Sequence, residues 1–344
     1  MTGRGALGTL GLAAALLLPG DSAPASTSAP ASTSVSATTS VTATTLAPVP
    51  GFEERTEWVM GTALRVVLPA DRADRDTLFR ACFAAARRWD ALLSPWQAAA
   101  PLSRLSAGAG RWVTVPPELL AYLERAARDA ERTGHVFDIT LAWRGSRAIA
   151  IDRAAGRARL PAQAGPLDPG ADGKGVALDA MAAILDGAGV RHALVDFGTS
   201  SYLARGDGPG GDGWDLALTG PQGGWLGVLR LRDAALSVSC TVQRDRREDG
   251  TVAERHHLRD LRRGETVRAR RTVAVVAGSA TEAEVLSTVV AVIGSPGLRK
   301  EAGRQLRRRF PGCTLGIFAA DASASWLDAG FADLLRRPPS GSGP

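Results

Sequence analysis

Regular patterning of apolar and polar positions begins near Phe52. From Trp58 to Leu68 the two kinds of residue alternate, as in a half-buried strand, and Gly61 in the middle predicts a bend or bulge. Between Asp74 and Leu93 the period becomes helical, placing Leu78, Cys82, Trp89 and Leu93 on one face. Trp112 to Val115 predicts a short strand. Pro117, suited to a first helical turn, then opens a helix that Gly134 stops. Lys174 to Gly187 predicts another helix, with Leu178, Met181 and Leu185 on its apolar side, and His192 to Phe197 a strand closed by Gly198. Trp214 to Leu218, Val228 to Leu231 and Ala235 to Ser239 predict successive strands of one antiparallel sheet. Thr272 to Ala277 reads as a buried strand and Glu282 to Ile293 as a helix. The class is α+β: two βα-rich lobes around antiparallel strands, with no repeat of fixed period.

The flanks are different. Arg4 followed by the apolar stretch Ala6 to Leu18, with small residues at Ala23-Pro24-Ala25, reads as a signal peptide over 1–25. An uncleaved anchor helix is the other reading of the same stretch. No Cys follows it, so a lipid anchor has no attachment point. Residues 26–50 are nearly all Ser, Thr, Ala, Pro and Val, too poor in large apolar side chains to offset ordering entropy, and predict a flexible spacer. The folded unit is expected over 51–336 and a disordered tail over 337–344. Such a chain is exported, to the periplasmic or extracellular face of the cell membrane, and meets a membrane only through an uncleaved signal or through its partner.

Composition changes this picture little. Of 344 residues 45% are hydrophobic and 22% charged, which excludes a polytopic membrane protein and a wholly disordered chain. The net charge is +6, but the basic residues are interspersed with acidic ones, so no nucleic-acid partner is expected. Only two of the 41 basic residues are Lys, at 174 and 300. Cys82, Cys240 and Cys313 are widely separated, which argues against zinc and against a disulfide framework.

The richest chemistry lies from Asp168 to Asp179. A glycine-rich loop running into a helix directs backbone N–H groups and the positive helix end at a ligand, and Lys174 adds charge. A phosphate, flavin or nucleotide diphosphate suits it, although glycines that merely make a turn would look the same. In His256-His257-Leu258-Arg259-Asp260 a histidine three residues from an aspartate has the spacing of an oriented base, and equally that of a solvated polar loop. Glu284 and Thr288 stand four apart on one helix face, where a carboxylate and a hydroxyl can ligate Mg²⁺. Gly134 to Thr140 is a substrate-edge loop or a turn into a strand.

In order along the chain, these segments resemble the ApbE family of FAD:protein FMN transferases. Met60-Gly61-Thr62 resembles its MGT, Gly134 to Thr140 its GxFDPT, and Asp168 to Asp179 its DLGGIAKGYAVD. Val195 to Gly198 is similar to its NLGG strand, His256 to Gly264 to its HHIIDPxTG, and Ala283 to Val290 to its ADALSTAL. The resemblance implies a T-fold-like architecture and a Mg²⁺-dependent reaction. FAD is the substrate, FMN passes to a Thr of an acceptor flavoprotein, and AMP leaves. It implies His257 as base with Asp260 orienting it. Flavin and diphosphate would fall to Met60, Asp138, Thr140, Gly170, Lys174, Gly175, Asp179 and Gly198. Mg²⁺ would fall to Glu284, Thr288 and the carbonyl of Gly173. The chain departs from the pattern at Ala100 to Ser106, at Ser239 to Val242, and at Glu284, where the family has Asp. A flavin-binding protein without catalysis and an FAD diphosphate hydrolase are therefore the alternatives.

Overall fold

The computed structural model describes residues 43–45, 49–142, 145–220, 224–246 and 251–336. The expected signal segment and tail lie outside these residues, as does most of the expected spacer. In chain order, β1 (Ala43–Thr45) precedes a hairpin of β2 (Phe52–Val59) and β3 (Thr62–Pro69). Then come α1 (Arg75–Leu93), α2 (Pro101–Ala107), β4 (Val113–Thr114) and α3 (Pro117–Arg132). Two short strands, β5 (Ala150–Asp152) and β6 (Arg157–Arg159), lead to α4 (Gly173–Gly187). Five longer strands follow: β7 (Ala193–Phe197), β8 (Ser201–Arg205), β9 (Trp214–Thr219), β10 (Trp225–Leu231) and β11 (Ala234–Cys240). Two small hairpins come next, β12 (Gln243–Arg246) with β13 (Val252–Arg255) and β14 (Arg259–Asp260) with β15 (Glu265–Thr266). The chain closes with β16 (Arg271–Ala277), α5 (Ala280–Leu298), α6 (Glu301–Arg309), β17 (Thr314–Ala319), β18 (Ala324–Leu327), α7 (Ala329–Leu334) and β19 (Leu335–Arg336).

The backbone of the fold is an eight-stranded sheet ordered β18-β17-β16-β11-β8-β7-β3-β2. Every pairing in it is antiparallel. One face carries α1, α4 and α5, and the other is covered by the sheet β1-β9-β10-β19. Period-2 alternation builds both cores from the same strands. Val195 and Phe197 point to the helices, while Leu194 between them points to the small sheet beside Trp214 and Leu216. On the helical side two cores lie next to each other. One joins α1 and α4 to β3 and β7; the other joins α2, α3 and α5 to β16 and β17. The α+β class therefore stands, and these two cores are its lobes.

Three expectations change. Trp58 to Leu68 is not one bent strand but the turn and arms of the first hairpin. Met60 and Gly61 both have positive φ, 51° and 74°, and Val59 pairs with Thr62, as in a two-residue turn of mirror-image type. The three strands after residue 214 do not share a sheet: β9 pairs with β10, whereas β11 sits between β8 and β16. Burial on both faces explains that choice, since Ala235 packs towards the helices and Leu236 and Val238 towards the small sheet. Finally, within the expected spacer, β1 pairs with β9. The predicted helix Glu282 to Ile293 is the straight part of α5, which breaks at Gly294 with φ of 63°. All three cysteines are free.

Candidate functional site

Segments far apart in sequence meet in a partly open cleft. Val136 to Ile139 and Leu141, after α3, form one wall, and Asp168 and Ala171, before α4, form another. Leu258, Arg259 and Leu261 from the histidine segment and Thr288 and Val292 from α5 complete it. The lining is largely apolar with a few polar groups, as a cleft for an aromatic ligand with a charged end requires. Of the residues singled out in the sequence, Asp138 and Thr288 line it directly. Gly170 lies between two lining residues, and His257 and Asp260 flank others.

Short side-chain-to-backbone bonds shape the cleft's loops. Asp138 Oδ1 accepts the Thr140 N–H at 2.9 Å and its hydroxyl at 2.6 Å, while Oδ2 lies 3.1 Å from His135 Nδ1. Asp168 Oδ1 accepts the Gly170 N–H at 2.8 Å. The Thr140 hydroxyl and the Gly170 N–H are thereby held by the walls. The loop before α4 is also clamped from α3: Arg125 donates to Asp172 Oδ2 at 2.8 Å and the Tyr122 hydroxyl to Oδ1 at 3.1 Å. Asp172 is fully buried, and burial pushes its carboxyl up to about 6 despite the neighbouring guanidinium.

Four residues of the expected ligand set have packing roles in the fold. Asp179 accepts from the Ser279 hydroxyl at 2.8 Å and from the N–H groups of Ala280 and Thr281 at 2.7 and 3.1 Å, so it caps α5. Gly175 is where α4 meets α5: a Cβ there would stand 2.7 Å from Thr281 Cα. Gly198, at φ of 68°, turns β7 into β8 against Thr62. Met60 is buried in the hairpin turn, within packing distance of Gly173. The physical reason is common to all four. Helix junctions and tight turns need small residues and caps as much as ligand loops do.

In the expected metal set, the carboxylate has partners within the protein. Glu284 is buried, and both oxygens of its carboxylate accept hydrogen bonds. Lys174 Nζ donates to Oε1 at 3.0 Å, the Ser201 hydroxyl donates to Oε1 at 2.5 Å, and the Gly175 N–H donates to Oε2 at 2.6 Å. The Lys174 and Glu284 side chains are 11% and 5% exposed, so Lys174 is not a mobile charge at the cleft mouth. Thr288, one turn further on, faces the cleft instead. A Mg²⁺ ion, which demands an ordered shell of oxygen ligands, does not fit a carboxylate already holding an ammonium and two other donors. Among the described residues, no group of three or more His, Cys, Asp or Glu is placed to hold a metal.

In the histidine segment, Asp260 receives the backbone N–H and the guanidinium of Arg262. Burial acts to raise its carboxyl, but the Arg262 bonds prevail and hold it below the ordinary value. These bonds hold the 259–264 turn. The sequence reading missed Arg259 and Ser201. Arg259 is the cleft's only lining cation among the described residues, and it donates to the Gly264 carbonyl at 3.1 Å. In a chain this rich in Arg, nothing in the sequence set it apart.

Comparison with known proteins agrees with this fold. The fold is similar to the ApbE protein of Thermotoga maritima, at 22% identity and a TM-score of 0.71 over 83% of this chain and 100% of that one. It is similar to the flavin transferase ApbE of Vibrio cholerae at 19% identity and a TM-score of 0.66, covering 83% and 100%. The flavinyl transferase ApbE of Pseudomonas stutzeri gives 21% and 0.67, covering 83% and 96%. No curated protein sequence matches. The ApbE family model matches residues 60–144 and 141–309, and the chain belongs to the ApbE family.

Proposed function

We propose that the chain is a flavin transferase that takes FAD, passes FMN to a Thr of an acceptor flavoprotein, and releases AMP. The observation that carries this reading is the convergence of residues 136–141, 168–171, 258–261 and Thr288 on one cleft. These are the segments whose order along the chain resembles the family's motifs. The apolar wall of Val136, Phe137, Ile139 and Leu258 suits a flavin ring, and Arg259 supplies a planar cation for the diphosphate.

In the reaction the acceptor hydroxyl oxygen forms a bond to the FMN-side phosphorus. The bond from that phosphorus to the bridging oxygen breaks, and AMP carries that oxygen away. The hydroxyl proton needs a base, because an unassisted Thr is a poor nucleophile near neutral pH. His257, beside the Leu258 wall, is that base, with its loop held by Asp260 and Arg262. Arg125 and Tyr122 clamp the α4 start through Asp172, which fixes the neighbouring cleft wall at Ala171. Glu284 is already neutralised by Lys174, so the reading needs no cation on that carboxylate. Export belongs to the same proposal and is supported by residues 1–25, which lie outside the described ones.

The test is incubation of the full chain with FAD and an acceptor domain containing Thr, reading AMP release and acceptor mass. AMP that requires acceptor, with a mass gain of FMN, is the expected result. AMP and free FMN without acceptor would make the chain a hydrolase. Bound FAD with neither product would make it a flavin-binding protein.

A further inference from the structure

The engaged carboxylate of Glu284 points to a departure in how this member handles charge. We propose that the Lys174 ammonium is the resident cation on Glu284, and that the cleft binds its flavin dinucleotide without a divalent cation there. The inference rests on the proposed flavin reading for the ligand, but not for the cation. Three observations carry it. The pair is enclosed, at 11% and 5% exposure, so an entering ion would have to displace a desolvated ammonium. Both lone-pair directions of Oε1 are taken, by Lys174 and Ser201, and Oε2 is held by the Gly175 N–H. These donors come from α4 and β8, whose positions are fixed by packing. Gly175 abuts Thr281, and Ser201 sits in a β8 paired on both edges. Glu at 284 is longer than Asp by one methylene, which is the reach that brings its carboxylate among these three donors. The carboxylates that line the cleft, Asp138 and Asp168, bind their own loops through Thr140 and Gly170.

Two titrations on the full chain test this. The first uses Mn²⁺ alone, read by its electron paramagnetic resonance, and needs no flavin. The second measures FAD affinity in EDTA and in Mg²⁺. The expected results are no Mn²⁺ bound at Glu284 and FAD affinities within about twofold of each other. Lys174→Met, which keeps the stem and removes the charge, is expected to gain Mn²⁺ binding and a Mg²⁺ dependence of FAD affinity of about tenfold. One Mn²⁺ bound by the unaltered chain and lost in Glu284→Gln would overturn the proposal. Mn²⁺ that survives Glu284→Gln lies elsewhere and leaves Glu284 to Lys174. If Lys174→Met fails to fold, the unaltered chain and Glu284→Gln still decide. If FAD binds under neither condition, the flavin reading fails, and the Mn²⁺ titration still decides the cation.

Discussion

At residue scale, the site is governed by what each polar group already holds. Asp196, near the β7–β8 turn, accepts the Thr199 N–H at 2.9 Å but is buried, and burial raises its carboxyl to about 7 against the pull of Thr199 and Arg65. In the folded state it keeps a proton that the unfolded chain releases near pH 4. Stability is thus present at low pH and is lost as pH rises from about 4 to about 7, by up to about 4 kcal/mol. Asp196→Asn should remove that slope, which urea denaturation at pH 4.5 and 7.5 would reveal in both proteins. Arg259→Leu keeps the cleft wall but removes its cation. It should weaken FAD binding about tenfold, given what one charge-assisted contact contributes, with little change in melting temperature. Unchanged affinity by fluorescence titration would remove Arg259 from the diphosphate site.

At the scale of elements, the α4–α5 junction decides the geometry of the loop before α4. Asp179 caps α5 from α4, Gly175 lets the two helices touch, and Glu284 returns a carboxylate to the α4 start. Gly175→Ala puts a methyl 2.7 Å from Thr281 Cα and 2.8 Å from the Ala280 carbonyl, both backbone atoms that cannot swing away. Its expected cost is about 2 kcal/mol, from overpacking, with a weaker grip on FAD as the junction opens. A denaturation midpoint equal to that of the unaltered chain would show that the helices separate freely. The hairpin at Met60 and Gly61 teaches a different lesson. The apolar stretch from Trp58 to Leu68 runs across the turn, so the period alone does not distinguish one long strand from two paired ones. The distinction lies in two successive left-handed residues, and Met is an unusual choice for one of them.

At the scale of the molecule, the cleft is closed by four segments spread from residue 136 to residue 292. A ligand that touches all of them binds the folded chain and not the unfolded one. FAD at a hundredfold excess over its dissociation constant should therefore add about 2.7 kcal/mol, raising the melting temperature by a few degrees. Calorimetry with FAD, and with riboflavin as a partial ligand, would check this. A melting temperature indifferent to FAD would sink the flavin reading.

The chain's own order of residues determined the α+β class, most helices and strands, and the segments that form the cleft. These properties follow from local periodicity and from motifs a few residues long. What the sequence could not separate was a residue that touches ligand from one that holds the loop touching it. Asp179, Gly175 and Glu284 have the residue types of a ligand site, and only the packing of α4 against α5 and β8 shows them spent on one another. Such assignments depend on distances across the fold of a few ångströms, which linear spacing does not encode. Hydrogen-bonding capacity is finite, and the tertiary structure alone decides where it is used.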